Sequence, residues 1–426
     1  MEHTVYGQTD VGQKRDHNED TFVVDEELGA YIVCDGMGGH AAGEVASELA
    51  SKHTLAYLQE HKDVIARFGE SADANDDVVK LLRRAIERAS LEVYTQARSD
   101  EGRAGMGCTL TMVLVVDNGK KGIMGHVGDS RLYMRRSGEL HQLSDDHSYV
   151  AEMVRRGMLT EEQAKNSPYG NVITRAIGIQ NTVQVDTLVF DLLPGDLLLL
   201  CSDGLCGYFE DEPEKLCDLI NGAGTDLAPM AQTLIDAANA AGGKDNITTV
   251  LVEVAGAEDA SEARTTEVNL RLDTLRYIDL FKHLNMKELV MVLDAFEKLD
   301  VEAGTVLVRE GETSDGLFIV LDGECAVTRG AKEIATLNAG AHFGEMALLN
   351  QRPRSATVTA SKRTNILRMN REPFNRTLKK DPVLGVKFLW TFAQVLALRL
   401  DDIHRQHEID ALRAPDTIKM RADKLD

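Results

Sequence analysis

Short apolar runs, most of them cut off by Gly, Asp or Asn, constrain the first 254 residues more than any other feature: Tyr31 to Cys34, Thr109 to Val116, Gly122 to Val127, Leu197 to Cys201 and Ile247 to Val254. Runs of this length bounded by turn formers read as strands. Between them, Asp76 to Arg98 places Val79, Leu82, Ile86, Ala89 and Val93 at steps of three and four, the period of a helix with one buried face. Together they predict an α+β domain in which strands distant in sequence pair in sheets. From Leu140 to Val185 the pattern weakens. Thr160-Glu161-Glu162-Gln163 reads as a capping box and Asn166-Ser167-Pro168-Tyr169-Gly170 as a turn, so a mobile insertion is expected there.

At 426 residues the chain exceeds what one hydrophobic core comfortably holds. The small, polar stretch beginning at Ala255 reads as a linker, which divides the chain into a domain over 1–254, a linker over 255–274, a second domain over 275–405 and a C-terminal tail over 406–426. Leu275 to Leu299 is helical in pattern. Val301 to Ala360 carries short β runs separated by Gly and Asp turns, with a hairpin signal over Leu317 to Val327 and a plain turn at Asp322-Gly323. The second domain is therefore expected to be a small β-barrel or roll flanked by helices. Phe388, Leu389, Phe392, Val395, Leu396 and Leu400 form an apolar stripe suited to packing on that barrel, capping a ligand or meeting a second copy in a homodimer.

Lys and Arg number 47 against 69 Asp and Glu, a net charge of −22 that repels phosphate backbones and anionic lipid. Nucleic acid is not an expected partner. No apolar run approaches the length of a membrane-spanning helix, and Met1-Glu2-His3-Thr4 lacks the basic and apolar regions of a secretory signal. A cytoplasmic protein with no membrane partner is predicted. The six cysteines form no CxxC pair, so neither a zinc site nor a disulfide framework is expected.

Asp20, Asp35, Asp203 and Asp245 each end a strand-like run or sit in a Gly or Asn turn, where a rigid sheet can aim carboxylates at a common point. Hard divalent cations such as Mg²⁺ and Mn²⁺ need several oxygen ligands of this kind. Asp-Gly is also a common turn pair, and spacing alone does not bring these residues together in space.

Arg15 to Asp20 (RDHNED), Asp35 to His40 (DGMGGH), Gly128 to Arg131 (GDSR), Ser202 to Gly204 (SDG) and Lys244 to Asn246 (KDN) occur in one order. That series resembles the metal-dependent protein phosphatases, the PPM or 2C-type family, in their bacterial form. The resemblance implies an αββα sandwich with two Mn²⁺ or Mg²⁺ ions at one edge. It implies that Asp35 bridges both ions, that the Gly36 carbonyl completes one shell, and that Asp203 and Asp245 hold the other. Glu19 and Asp20 would act in or just behind these shells, and Asp129 would hold a weaker third ion. The implied reaction is hydrolysis of phosphoserine and phosphothreonine in proteins by a metal-bridged water, with Arg15 binding the substrate phosphate through its planar fork. Asp35, Asp203 and Arg15 would carry catalysis. Met37 stands where some relatives have a histidine, so the general acid is unassigned; His40 lies three residues further on. The insertion from Leu140 to Val185 resembles the family's flap.

Phe343 to Val358 (FGEMALLNQRPRSATV) puts a Gly-Glu pair before a short helix-like run and an arginine nine residues after the glutamate. A helix start and a guanidinium suit a phosphate, and a carboxylate suits a sugar hydroxyl. The stretch resembles the phosphate cassette of cyclic-nucleotide-binding domains. Glu345 would bind the ribose 2′-hydroxyl and Arg354 the cyclic phosphate, with Gly344, Ala347 and Ser355 around it. The Ser355 hydroxyl suits phosphate in a cAMP site or guanine in a cGMP site; cAMP is favoured. The expected function is a phosphoprotein phosphatase regulated by cyclic nucleotide. Its rivals are a catalytically silent nucleotide sensor or scaffold and a nucleotide-dependent transcription factor, against which the short stretch after Arg405 argues.

Overall fold

A computed structural model describes residues 3–38, 42–170, 172–255, 260–313, 316–350 and 352–413. The chain divides into two compact units, Met1–Asn269 and Leu270–Asp426.

In the first unit the five apolar runs are strands of two antiparallel five-stranded sheets. One sheet runs in the order His3–Asp10, Ile247–Val254, Leu197–Cys201, Arg131–Arg136 and Glu139–Gln142. The other runs Asp186–Asp191, Lys121–Val127, Leu110–Val116, Ala30–Cys34 and Thr21–Asp25. Every residue of Ala30–Cys34 and of Leu197–Cys201 is buried, which requires cover on both faces of each sheet. Successive side chains supply it by pointing opposite ways. Ile32, Cys34, Leu110 and Met112 share a core with the helices Ala42–Glu60 and Ala72–Ser99. Tyr31, of the other parity, meets His3 of the facing sheet with ring centroids 5.7 Å apart. On the outer face of that facing sheet, Leu197, Leu199, Cys201 and Leu251 pack with the helices Pro213–Gly222 and Leu227–Ala240. The layers are therefore αββα.

The long helix begins at Ala72, before the periodic stretch, because Ser71 caps it by accepting the Ala74 amide at 3.1 Å. Its buried face runs through Val78, Leu82, Ile86, Ala89 and Val93, and Val79 is only partly covered. In the insertion, the expected capping box forms: Gln163 N donates to Thr160 Oγ1 at 3.2 Å and Thr160 N to Gln163 Oε1 at 2.9 Å. Residues 255–274, expected as a linker, carry most of a helix over Ala260–Tyr277. Its Ala, Glu, Arg and Leu content favours helix, and Arg264 is pinned by the Leu192 carbonyl (2.6 Å), the Lys120 carbonyl (2.7 Å) and Asp191 (2.7 Å).

The second unit has two antiparallel four-stranded sheets. Their orders are Glu297–Val301, Thr364–Asn370, Gly316–Asp322, His342–Phe343 and Val306–Val308, Thr357–Ala360, Glu324–Arg329, Lys332–Asn338. Val308, Phe318, Val320, Cys325, Val358 and Ile366 fill the space between them. The sheets form a roll and do not close into a barrel. Leu275 to Leu299 is not one helical stretch: a new helix, Met286–Leu293, starts on the Asn285/Glu288 capping box, and Glu297–Val301 is a strand.

Asp322-Gly323 is not a hairpin turn, since the strands on either side of it belong to different sheets. It is a corner, held where a Cβ on Gly323 would lie 2.4 Å from Thr364 Oγ1, the atom that accepts the Glu324 amide. The hairpin is instead Glu324–Arg329 with Lys332–Asn338. The expected tail begins inside a helix, Pro382–Arg413. Of the apolar stripe, Phe388 is core, 4.6 Å from Phe374 and 6.0 Å from Phe281 between ring centroids. Leu389 is exposed, as are Val386 and Trp390; the side chain of Leu400 and residues 414–426 lie outside the described residues. Among the described residues no helix is long and apolar enough to cross a membrane.

Candidate functional site

Strand register places the acidic turns along one edge of the first unit. Cys34 pairs with Thr21, Leu110 with Val127, Cys201 with both Arg131 and Thr249, and Asp10 with Ile247. The turns that follow or precede these residues carry Arg15, Glu19, Asp20, Asp35, Asp129, Asp203 and Asp245.

Three uncharged residues lace the turns together. Asn246 donates to the carbonyls of Val11 (3.0 Å) and His17 (2.9 Å) and accepts the Glu19 amide (2.8 Å). Ser202 Oγ donates to Asp20 Oδ2 at 2.7 Å and accepts the Thr248 amide at 3.0 Å. Thr109 accepts the Asp35 amide at 2.9 Å, donates its own amide to the Asp35 carbonyl at 2.8 Å, and shares a hydroxyl hydrogen bond of 2.7 Å with Ser130. Close backbone contacts complete the lacing. A Cβ on Gly204 would fall 1.9 Å from the Asn246 carbonyl oxygen. Gly36 donates its amide to the Glu19 carbonyl at 3.1 Å, and the Glu19 carboxylate accepts the Gly43 amide in the first turn of Ala42–Glu60, where the helix dipole favours negative charge.

Arg15 Nη2 donates to Asp245 Oδ2 at 2.6 Å, and the guanidinium stays about half exposed. Arg131 of GDSR turns away from the acids: it forks onto Asp146 (2.9 and 2.6 Å), reaches the Tyr133 hydroxyl and also meets Glu210. His40 lies outside the described residues, and Met37 pairs with Gly107 in a two-residue strand.

Burial, then neighbouring carboxylates, set the protonation of this edge. Burial, Asp203 and Asp245 push Asp20 up to about 7 against the opposing Ser202 hydrogen bond. Burial, Asp203 and Asp146 do the same to Asp129, also to about 7. Asp35 is raised by burial and by the charges of Asp20, Asp203, Asp129 and Asp245. Burial and Asp245 raise Asp203, which shares a hydrogen bond with Asp35. Carboxylates that repel one another in a buried setting hold protons unless a cation replaces them.

The donor set fits divalent cations in chemistry, being all oxygen, and Asp20 Oδ1 is buried without a hydrogen-bond partner. Among the described residues no three acids, histidines or cysteines already converge in ligating geometry.

In the second unit Gly344, Glu345, Ala347 and Arg354 come together at one end of the roll. Arg354 Nη2 donates to the Gly316 carbonyl at 2.6 Å, and its guanidinium lies 6.0 Å from the Phe318 ring centroid. Gly344 has φ +84°, and a Cβ there would sit 2.4 Å from Arg354 Nη1, so only glycine leaves this guanidinium its place. Glu345 is buried and Ala347 N donates to the Gly344 carbonyl at 3.0 Å. Ser355 is exposed, and its carbonyl accepts from Arg329. Sequence reading passed over Arg368, which faces Phe318 across the strand pair at 5.8 Å and whose buried Nε has no hydrogen-bond partner. It also gave no role to Ser202, Asn246 or Thr109. The first two were visible as members of SDG and KDN; nothing in the sequence marked Thr109.

Residues 10–252 match the family model described as protein phosphatase 2C, and residues 298–381 match that described as cyclic nucleotide-binding domain. The chain is 37% identical over 248 residues to serine/threonine phosphatase stp of Listeria monocytogenes, an alignment covering 58% of this chain and 93% of that relative. Among solved structures, the Mycobacterium tuberculosis serine/threonine phosphatase PstP/Ppp matches with a TM-score of 0.52 at 32% identity, covering 60% of this chain and 99% of the other. The catalytic domain of PstP in complex with two manganese ions matches with a TM-score of 0.50 at 31% identity, again over 60% and 99%.

Proposed function

The chain belongs to the protein phosphatase 2C family of serine/threonine phosphatases, and from that premise we propose that its acidic edge performs the hydrolysis with two divalent cations, under control of a cyclic nucleotide bound by the second unit. The observation that carries this reading is the gathering of Arg15, Glu19, Asp20, Asp35, Asp129, Asp203 and Asp245 at one edge, with the carboxyl groups of Asp20, Asp35, Asp129 and Asp203 raised by burial and then by neighbouring carboxylates.

Asp35 would serve both ions, with the Gly36 carbonyl on one side and Asp203 and Asp245 on the other; Asp129 would hold a third. Bound Mn²⁺ or Mg²⁺ supplies positive charge to the transition state and acidifies water. The chain's own residues do the rest. Arg15, braced on Asp245, offers its remaining N–H groups to the phosphoryl oxygens of a phosphoprotein. Ser202 and Asn246 hold Asp20 and the Glu19 loop in register with Asp203 and Asp245.

In the second unit Arg354 is read as the partner of the cyclic phosphate and Glu345 as that of the ribose, with Gly344, Ala347 and Ser355 around them and cAMP favoured. A ligand that binds two arrangements of the chain unequally must shift their populations, which gives the nucleotide its control over turnover. The exposed Val386, Leu389 and Trp390 remain for a nucleotide base or a second copy. The cytoplasm is the proposed location.

The test is phosphate release from a phosphothreonine peptide with Mn²⁺, beside an Asp203→Ala control. Loss in the control should exceed the roughly 100-fold that removal of an outer-shell partner costs. A wild-type chain that binds Mn²⁺ and nucleotide yet releases no phosphate would mean a silent sensor instead.

A further inference from the structure

His147 is fully buried within the insertion, shortly after the strand Glu139–Gln142. Its Nδ1 accepts the Gly128 amide at 3.1 Å, and its backbone amide donates to the Gly128 carbonyl at 2.8 Å. One residue thus holds both polar backbone groups of the glycine before Asp129. Only glycine fits there: its φ is +115°, and a Cβ would lie 2.6 Å from Thr109.

With Nδ1 accepting, the imidazole proton resides on Nε2, which faces Asp186 Oδ2 at 3.2 Å. The other Asp186 oxygen accepts from Arg175 at 2.9 Å. The His147 carbonyl accepts both the amide (2.7 Å) and the hydroxyl (3.0 Å) of Thr174, and Ser148 bridges to Ile173. His147 therefore joins the start of the insertion to its returning stretch at Thr174 and to Asp186 just beyond it. Its ring packs 4.7 Å from that of His126, which is itself engaged by Thr111 and the Asp145 carbonyl.

We propose that His147 is a positioning residue that ties the base of the insertion to the Gly128-Asp129 turn, and so sets cation affinity at Asp129. The proposal rests on the reading of Asp129 as a ligand. Residues that orient ligands from behind are worth about 10- to 100-fold in metal affinity when lost.

Two substitutions separate the two ends of the imidazole. In His147→Asn the amide oxygen takes the place of Nδ1; in His147→Gln the amide reaches the place of Nε2. Mn²⁺ binding to the full chain is measured by calorimetry, beside the metal-free thermal midpoint and the KM and kcat for a phosphopeptide. His147→Gln should weaken the weakest Mn²⁺ site about ten-fold, whereas His147→Asn should leave it within about two-fold and raise KM through the loosened insertion. Should His147→Gln not fold, His147→Asn and Asp186→Ala carry the test: both keep the Gly128 contact and should leave the Mn²⁺ isotherm within about two-fold, and a loss of about ten-fold in either would overturn the proposal. Equal loss of thermal midpoint in both histidine variants with unchanged Mn²⁺ isotherms would overturn the proposal and leave His147 a packing residue. Asp129→Ala is the reference: if it too leaves the isotherm unchanged, the ligand reading of Asp129 falls, and the link with it.

Discussion

Burial and the charges of Asp203 and Asp245 lift Asp20 from its ordinary 3.8 to about 7, and burial lifts Asp129 equally far. A carboxyl raised on folding binds a proton that the unfolded chain has already released. Its contribution is therefore full below pH about 4 and is lost as pH rises through about 7. Metal-free protein should accordingly show a first-unit thermal midpoint that falls between about pH 4 and 7. Asp20→Asn should flatten that fall and raise the midpoint at the alkaline end, while weakening Mn²⁺ binding; a midpoint that rises with pH in metal-free wild type would contradict the electrostatics described. In the second unit, Arg354→Ala should cost nucleotide binding about 2 kcal/mol or more, at least about 30-fold in Kd by calorimetry. The charged members of both sites could be named from sequence because acids and arginines stand out in turns. Asn246, Ser202 and His147 could not be given roles, since what they do depends on groups more than a hundred residues away or on a turn they do not belong to.

At the scale of elements, periodicity found the long helix and its buried face through Leu82, Ile86, Ala89 and Val93 but placed its start too late, because its first turn is polar and its boundary is set by the Ser71 side chain. Ser71→Ala should cost about 1 kcal/mol, a drop of roughly 2–4 °C in the first unit's Tm. Gly204→Ala belongs to another class: a methyl 1.9 Å from the Asn246 carbonyl would force the SDG and KDN turns apart. It should abolish turnover and lower stability together, as read by phosphate release and thermal melting. The corner at Gly323 shows the limit of local reading. Asp322-Gly323 between two apolar runs has the composition of a hairpin, and only the pairing of each run with a distant strand shows that the chain changes sheets there. The capping box at Thr160 needed no such help, because all its partners lie within four residues.

For the whole molecule, the change in pattern after Val254 suggests a boundary there, whereas the two compact units divide between Asn269 and Leu270; the helix over Ala260–Tyr277 was not legible, because small polar residues fit linker and helix alike. Two compact units with separate ligand chemistry should respond to separate ligands: Mn²⁺ in excess of its Kd raises the first unit's midpoint, and nucleotide that of the second, each by an amount growing with the logarithm of concentration. Regulation asks for more, namely that one ligand alters what happens at the other's site. The direct measurement is phosphothreonine-peptide turnover by the full chain across a Mn²⁺ titration, from zero to saturating cAMP, repeated with cGMP and with Arg354→Ala. The expected result is metal-dependent turnover that changes with nucleotide in wild type and does not change in Arg354→Ala. Turnover indifferent to nucleotide, with binding confirmed on the same sample, would contradict the account and leave a phosphatase whose second unit does not control it.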